Sequence, residues 1–306
     1  PASLVPDLPP DLCSLCRLLL ALRPEQRPSG DEILSMLDGN APSELPPVVE
    51  LPEPATLFVG REHEGALLRK EYARFTADEP RTVLIHGASG LGKSELVRTF
   101  LLSHVLPREK TIVLTGRCYE MESVSFKALD PIIDSLTHML QRLPKEDAYY
   151  VIPHHAELLT RVFPVLSRVK AMGMGTPLAQ RIDDPHQIRS SAFSALRELF
   201  VRLATRYRVV VHIDDIQWAD EDSHKLIRGL LQPPGAPRLF FIASQRTSAD
   251  PVEAREEVQR TMETLPAGAT SLEVMPLSED ESMELVQNLS LAQPAAASLS
   301  DGMASW

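Results

Sequence analysis

At 82–100 the chain reads TVLIHGASGLGKSELVRTF, and few folds accommodate that order of residues. An apolar run passes into a glycine-rich loop and from there directly into an amphipathic helical pattern. The loop satisfies G-x-x-x-x-G-K-[ST] at Gly87, Gly92, Lys93 and Ser94. Its glycines let backbone amides turn inward, at a helix start whose dipole favours an anion. In that frame Lys93 reaches the β- and γ-phosphates of a nucleotide, and Ser94 ligates Mg2+. The competing reading, an ordinary glycine-rich turn, explains neither the strand before the loop nor the helix after it.

Further apolar runs stand at 111–116 (TIVLTG), 209–213 (VVVHI), 239–244 (LFFIAS) and 271–277 (SLEVMPL). Continuous runs of that length, joined through helical segments, predict strands covered on both faces of a parallel sheet. A helix is predicted at about 62–76, where Leu67, Leu68, Glu71, Tyr72 and Phe75 recur. Most of 124–207 also reads as helix, in FKALDPIIDSLTHMLQRL, AELLTRVFPVLSRV and IRSSAFSALRELFVRLATRY. The last of these sets Ile188, Ala192, Leu196, Leu199 and Leu203 on one stripe, and GMGTPLAQRIDD at 173–184 reads as a loop.

Proline marks the boundaries. Of 26 prolines, 11 fall in the first 55 residues, and five of those lie in NAPSELPPVVELPEPA at 40–55. That stretch predicts an extended, semi-rigid linker. The expected organisation is a small helical piece at 1–39, the linker at 40–55, an α/β domain at 56–290, and a disordered or truncated tail at 291–306. The net charge of −11 argues against a protein whose main task is to neutralise nucleic acid or anionic lipid. Three cysteines are too few for a disulfide framework, which suits a reducing, cytoplasmic setting. The leucine-rich stretch at 12–22 is too short to span a bilayer, so no membrane is expected as a partner.

Three more segments carry chemistry. VVVHIDD at 209–215 ends an apolar strand on two carboxylates. After a phosphate-binding loop, Asp214 is expected to hold the Mg2+ shell, and Asp215 to orient an attacking water as general base. Asp215 is shorter than the glutamate many ATPases use, which leaves that second role open. Arg246, just beyond LFFIAS, is placed to sense a γ-phosphate, with a solvated loop arginine as the other reading. FVGRE at 58–62 precedes the first helix, and Val59 and Gly60 could pack against an adenine.

Taken together, FVGRE, GASGLGKS, VVVHIDDIQWADEDS and FFIASQR resemble the ATPase module of STAND proteins, signal-transduction ATPases with numerous domains. More narrowly they resemble the AAA-type, origin-recognition-complex-like ATPase domains of large bacterial regulators. IDDIQWAD at 213–220 and TGRCYEMESVSFKALDPIIDSL at 115–136 carry much of the likeness. The resemblance implies a three-layer α/β P-loop domain with a five-stranded parallel sheet ordered 5-1-4-3-2. It implies ATP or ADP with Mg2+ as cofactors, and nucleotide contacts at Val59, Gly60 and Arg61. The binding loop itself would comprise Gly87, Ala88, Ser89, Gly90, Leu91, Gly92, Lys93, Ser94 and Glu95. Ser94 and Asp214 would be the metal ligands, and Lys93, Asp214, Asp215 and Arg246 the catalytic set. Gln217, Trp218 and Asp220 match the family string, with helix-start and packing roles only.

LPPDLCSLCRLLLALRPEQRPSGDEILSML at 8–37 is similar to the last helices of a bacterial Ser/Thr kinase domain. No HRD, DFG, APE or kinase-type glycine loop accompanies it, so kinase chemistry is not encoded here. The implied partners are an upstream kinase domain, downstream helical repeats and an unidentified protein, with oligomerisation left open. The function expected is a slowly hydrolysing ATP switch. The alternatives are a non-hydrolysing nucleotide-bound scaffold and a DNA-associated transcriptional regulator. Cys13 and Cys16 form a lone C-x-x-C on a helical pattern and read as packing, as do Cys118 and His86. His154 and His155 are adjacent and make a poor chelate.

Overall fold

The computed structural model describes residues 59–76, 79–120, 126, 128–174 and 184–292. By internal contacts the chain divides into Pro1–Pro47 and Val48–Trp306, and every described residue belongs to the second unit. The expectations for the helical piece at 1–39, its Cys13 and Cys16, the linker, and the tail beyond 292 lie outside the described residues, as does most of the loop at 173–184.

Helix α1 (Glu62–Thr76) leads into strand β1 (Arg81–Gly87), the phosphate-loop segment and helix α2 (Lys93–Phe100), which runs on as one wider π turn over Leu101–Val105. Strand β2 (Thr111–Arg117) is followed by α3 (Asp130–Arg142), α4 (Lys145–Val151), α5 (Ala156–Val162) and the long α6 (Pro185–Arg206). Then come β3 (Arg208–Asp214), α7 (Glu221–Leu231), β4 (Leu239–Arg246), α8 (Pro251–Met262), β5 (Thr270–Glu273) and α9 (Glu279–Ala292). The sheet order is β2-β3-β4-β1-β5, all parallel, the expected order read from the opposite edge.

Alternation along each strand divides the core between the two faces. Val83 and Ile85 of β1, with Phe240 and Ile242 of β4, face α1 and α2, and pack on Leu68, Tyr72, Phe75, Val97 and Phe100. Leu84, Val211, Phe241 and Ala243 face the other way, toward Ile133 and Leu136 of α3, Leu196 and Leu199 of α6, and Ile227 of α7. Continuous apolar strands are thus buried on both sides. Each fully buried Leu, Ile or Phe contributes about 1.5–3 kcal/mol of transfer free energy.

Three expectations change. AELLTRVFPVLSRV is not one helix: Pro164 cannot continue the ladder, so α5 ends at Val162 and a 3-10 turn (Pro164–Arg168) follows. SLEVMPL gives only the four-residue edge strand β5, which ends at Glu273 with the Val274 amide still bonded to the His86 carbonyl at 2.8 Å. The segment KEDAYYV forms α4, which the apolar spacing alone does not reveal. Among the described residues no helix is long and apolar enough to cross a membrane.

Candidate nucleotide site

In a parallel sheet the carboxyl ends of neighbouring strands open at one edge, and here β1, β3 and β4 deliver their last residues side by side. Gly87 ends β1 with φ +152°, and a Cβ there would lie 2.5 Å from the Val274 carbonyl oxygen. Glycine is therefore required where the loop leaves the sheet. Gly90 and Gly92 both have φ +82°, and a Cβ on either would meet nothing within 4 Å, so the loop's outer face is open. Gly92 is the N-cap of α2 and no side chain caps the helix. Its first amides are therefore presented to that opening, where an anion is the natural acceptor.

Lys93 is buried, and its Nζ donates to the carbonyl oxygens of Gly87 at 2.9 Å and Ala88 at 2.7 Å. Burial lowers its pKa; Asp215 and Asp214 act in the opposite sense, and Arg246 adds to the lowering. A buried ammonium held only by the loop's own carbonyls can exchange them for phosphate oxygens at little rearrangement. Next to it, the Ser94 hydroxyl donates to both Asp214 oxygens, at 2.9 and 3.1 Å. Hydroxyl and carboxylate together form the hard-oxygen donor set that Mg2+ prefers, with its other positions left to phosphate and water. These residues fit the ion.

Asp214 and Asp215 sit in different settings. The Ser244 hydroxyl donates to Asp214 Oδ1 and accepts from the Asp215 amide at 3.2 Å. Asp215 is held in the left-handed region at φ 57°, ψ 45°, a conformation that aspartate tolerates better than most residues. Arg246 grips it from one side through Nε to Oδ1 at 2.8 Å and Nη2 to Oδ2 at 2.9 Å. Arg117 approaches Oδ2 from the other at 3.0 Å, and Gln217 Nε2 reaches Oδ1 at 3.2 Å. Burial tends to raise the Asp215 pKa, but bonds from Arg246, Gln217 and Arg117 outweigh it and hold the group below the ordinary carboxylate value. Gln217 also accepts from the Arg246 amide at 3.1 Å, so it braces both partners.

Asp215, expected to orient a water as general base, thus accepts from two guanidiniums and one amide here. Three braces were not anticipated: Arg117, Gln217 in this role, and Ser244. The register pairs Arg117 with Asp214, which brings the arginine over the acids. A cation closing one parallel strand beside a strand closing on two acids was the available signal. Asp220 caps α7 by accepting from the Ser223 amide at 3.4 Å, and it also binds the Phe126 amide at 3.1 Å. Its role is the helix start anticipated for it, with a tie to the 126 segment in addition. Glu95, in the first turn of α2, is paired with Arg98 at 2.6 Å.

The segment at 59–61 joins the loop through Arg61, which is buried at φ +73°. Its guanidinium donates to the Leu91 carbonyl at 3.0 Å and to the Met275 carbonyl at 2.5 Å, and pairs with Glu64. It thus ties the start of α1 to the phosphate loop and to the chain leaving β5. A Cβ on Gly60 would lie 2.8 Å from a Glu281 carboxylate oxygen of α9, so that helix rests on the turn. Val59 is half-buried there.

A parallel sheet with a lysine-bearing glycine loop after one strand, and an acid pair after another, defines a P-loop nucleotide-binding protein. The chain belongs to the AAA ATPase domain family, which it matches over residues 57–242. Among solved structures it is similar to the Aeropyrum pernix ORC1 protein in complex with DNA, at 15% identity and TM-score 0.41, covering 80% of this chain and 53% of that one. It is also similar to Cdc6p from Pyrobaculum aerophilum, at 12% identity and TM-score 0.46, over 80% and 52%. The chain thus spans about half the length of these two. No curated protein matches it in sequence.

Proposed function

We propose that residues 56–290 work as an ATP-binding, slowly hydrolysing conformational switch of the STAND type, in a bacterial regulator that also carries a Ser/Thr kinase domain and helical repeats. What supports it most is the convergence of Lys93, Ser94, Asp214, Asp215 and Arg246 on the open edge of one sheet. The loop amides and the start of α2 bind the phosphates. Lys93 leaves the Gly87 and Ala88 carbonyls for β- and γ-phosphate oxygens. Ser94 and Asp214 hold the Mg2+, which when bound neutralises charge on those oxygens.

The switch lies in Arg246. In the described state its guanidinium is committed to Asp215. A γ-phosphate competes for the same donors, and ADP has no such group. ATP therefore loosens the clamp, and the freed Asp215 carboxylate can accept from and orient the attacking water. The expected difference between the two nucleotides is on the order of 1–3 kcal/mol, or roughly 5–150-fold in relative affinity. Arg246→Gln should collapse that ratio toward unity in paired ATP and ADP titrations. An unchanged ratio would remove Arg246 from the switch.

The clamp itself favours one alternative. With Asp215 bound by two guanidiniums, the domain would serve as a nucleotide-bound scaffold without turnover. Saturable ATP binding with no phosphate release, in the full-length protein with its partner, would select that reading.

A further inference from the structure

At the other end of the sheet, around the residues that open β2 and β3, a second group of cations surrounds a hollow of about 350 Å³. It is lined by Arg69, Tyr72 and Thr76 of α1, His104 and Arg108 just after α2, and Arg208, which opens β3. No carboxylate lines it. Arg69, Arg108 and Arg208 form no ion pair among the described residues, and Arg208 donates to the Glu109 carbonyl at 3.0 Å. Glu71, the acid of the same helix, is engaged elsewhere with Arg74 and Arg81.

Two further observations point to a ligand. Tyr72 is 95% buried, at 5% exposure, and its hydroxyl has no hydrogen-bond partner among the described residues. Burial raises the Tyr72 pKa, and the Thr111 hydroxyl lies close enough to oppose that rise, although its hydrogen bond of 3.5 Å runs to the Glu109 carbonyl. The His104 Nδ1 is likewise buried and unpartnered. A buried hydroxyl without a partner carries a desolvation cost that a bound acceptor removes. Burial lowers the His104 pKa below its ordinary value, and the charges of Arg69 and Arg108 add to the lowering. In a chain of net charge −11, three unpaired arginines around one hollow are a local exception.

We propose that this hollow binds a small phosphate-bearing anion, at a site separate from the P-loop. Guanidinium donors reach it from α1, from the turn after α2 and from the start of β3. Donors arriving from several directions suit a tetrahedral phosphate better than a planar carboxylate, and the guanidinium fork matches its oxygens. Tyr72 lines the hollow, and its unpartnered hydroxyl is a further donor beside the guanidiniums. The volume falls within the range of small-ligand pockets, about 300–1,000 Å³, rather than that of a macromolecular groove.

Pyrophosphate is the probe. Because the P-loop also binds it, the titration is made by calorimetry in two independent backgrounds that silence that loop, Lys93→Ala and Lys93→Met. Wild-type protein should show two sites, and each background should retain one. The double substitution Arg108→Ala/Arg208→Ala should weaken the retained site roughly tenfold or more. Tyr72→Phe, which preserves the ring packing, should weaken it several-fold with an unchanged circular dichroism spectrum. Absence of a second site, or a second site indifferent to both changes, overturns the proposal. Binding of a phosphopeptide or of vesicles containing anionic lipid, without any of free pyrophosphate, overturns the small-ligand assignment.

Discussion

Replacing Ser244 by alanine tests whether the acid pair is held by the neighbouring strand. Ser244 is fully buried on β4; its hydroxyl donates to Asp214 Oδ1 and accepts from the Asp215 amide. Alanine removes both bonds and leaves a buried amide without its acceptor, which costs about 1–3 kcal/mol. The lost bond to a carboxylate adds about 1.5–3 kcal/mol, of which Ser94 recovers part by remaining on Asp214. A net loss of roughly 2–4 kcal/mol is expected, or about 4–16 °C in melting temperature for a domain of this size. The assay is urea unfolding of wild type, Ser244→Ala, Asp214→Asn and the double variant. Neighbours in one network couple by about 0.5–3 kcal/mol, so the double variant should lose less than the sum of the singles. Strict additivity, or a single-variant loss below about 0.5 kcal/mol, would refute the reasoning.

Other expectations follow from the same geometry. Gly87→Ala forces a Cβ to 2.5 Å from a backbone oxygen at positive φ, and should leave little folded protein by near-UV circular dichroism. Asp215→Asn keeps the left-handed turn but weakens both guanidinium contacts; nucleotide binding should persist while phosphate release slows, and undiminished release would take Asp215 out of the chemistry. Asp220→Ala should cost about 1–2 kcal/mol through loss of the α7 cap, measured by denaturant midpoint. The Asp220 pKa is lowered because bonds from Ser223 and the Phe126 amide outweigh burial, which acts to raise it. Its contribution is therefore complete above the unfolded value near 3.8 and fades as pH falls through the lower folded value. The variant should accordingly lack that part of the acid-side loss of stability, and an acid limb identical to wild type would contradict the assignment.

Much of the fold was legible because its strands are buried on both faces. Apolar runs such as VVVHI and LFFIAS have no other use in a chain this polar elsewhere, and the phosphate loop fixed β1 and α2 around it. What failed was local punctuation: Pro164 cut a helical repeat, and β5 stops at Glu273, well short of the apolar run's end. Within the site, Lys93 bonds the Ala88 carbonyl, and Ser94 meets Asp214 across 120 residues of sequence. The guanidiniums that close on Asp215, from Arg117 and Arg246, lie 98 and 31 residues away along the chain, whereas Gln217 stands only two residues on. Spacing along one segment carries no information about which cation from another strand will close over an acid. The anion hollow was hidden for the same reason, since Arg69, Arg108 and Arg208 meet only once α1, α2 and β3 are packed.

The account stands on a nucleotide held by the loop at 87–94, and a calorimetric titration of Mg·ATP into wild-type and Lys93→Ala protein addresses it directly. One saturable site per wild-type chain, with nucleotide binding abolished in the variant, is the predicted result. Equal affinity in the two proteins, or no binding to wild type, would contradict it.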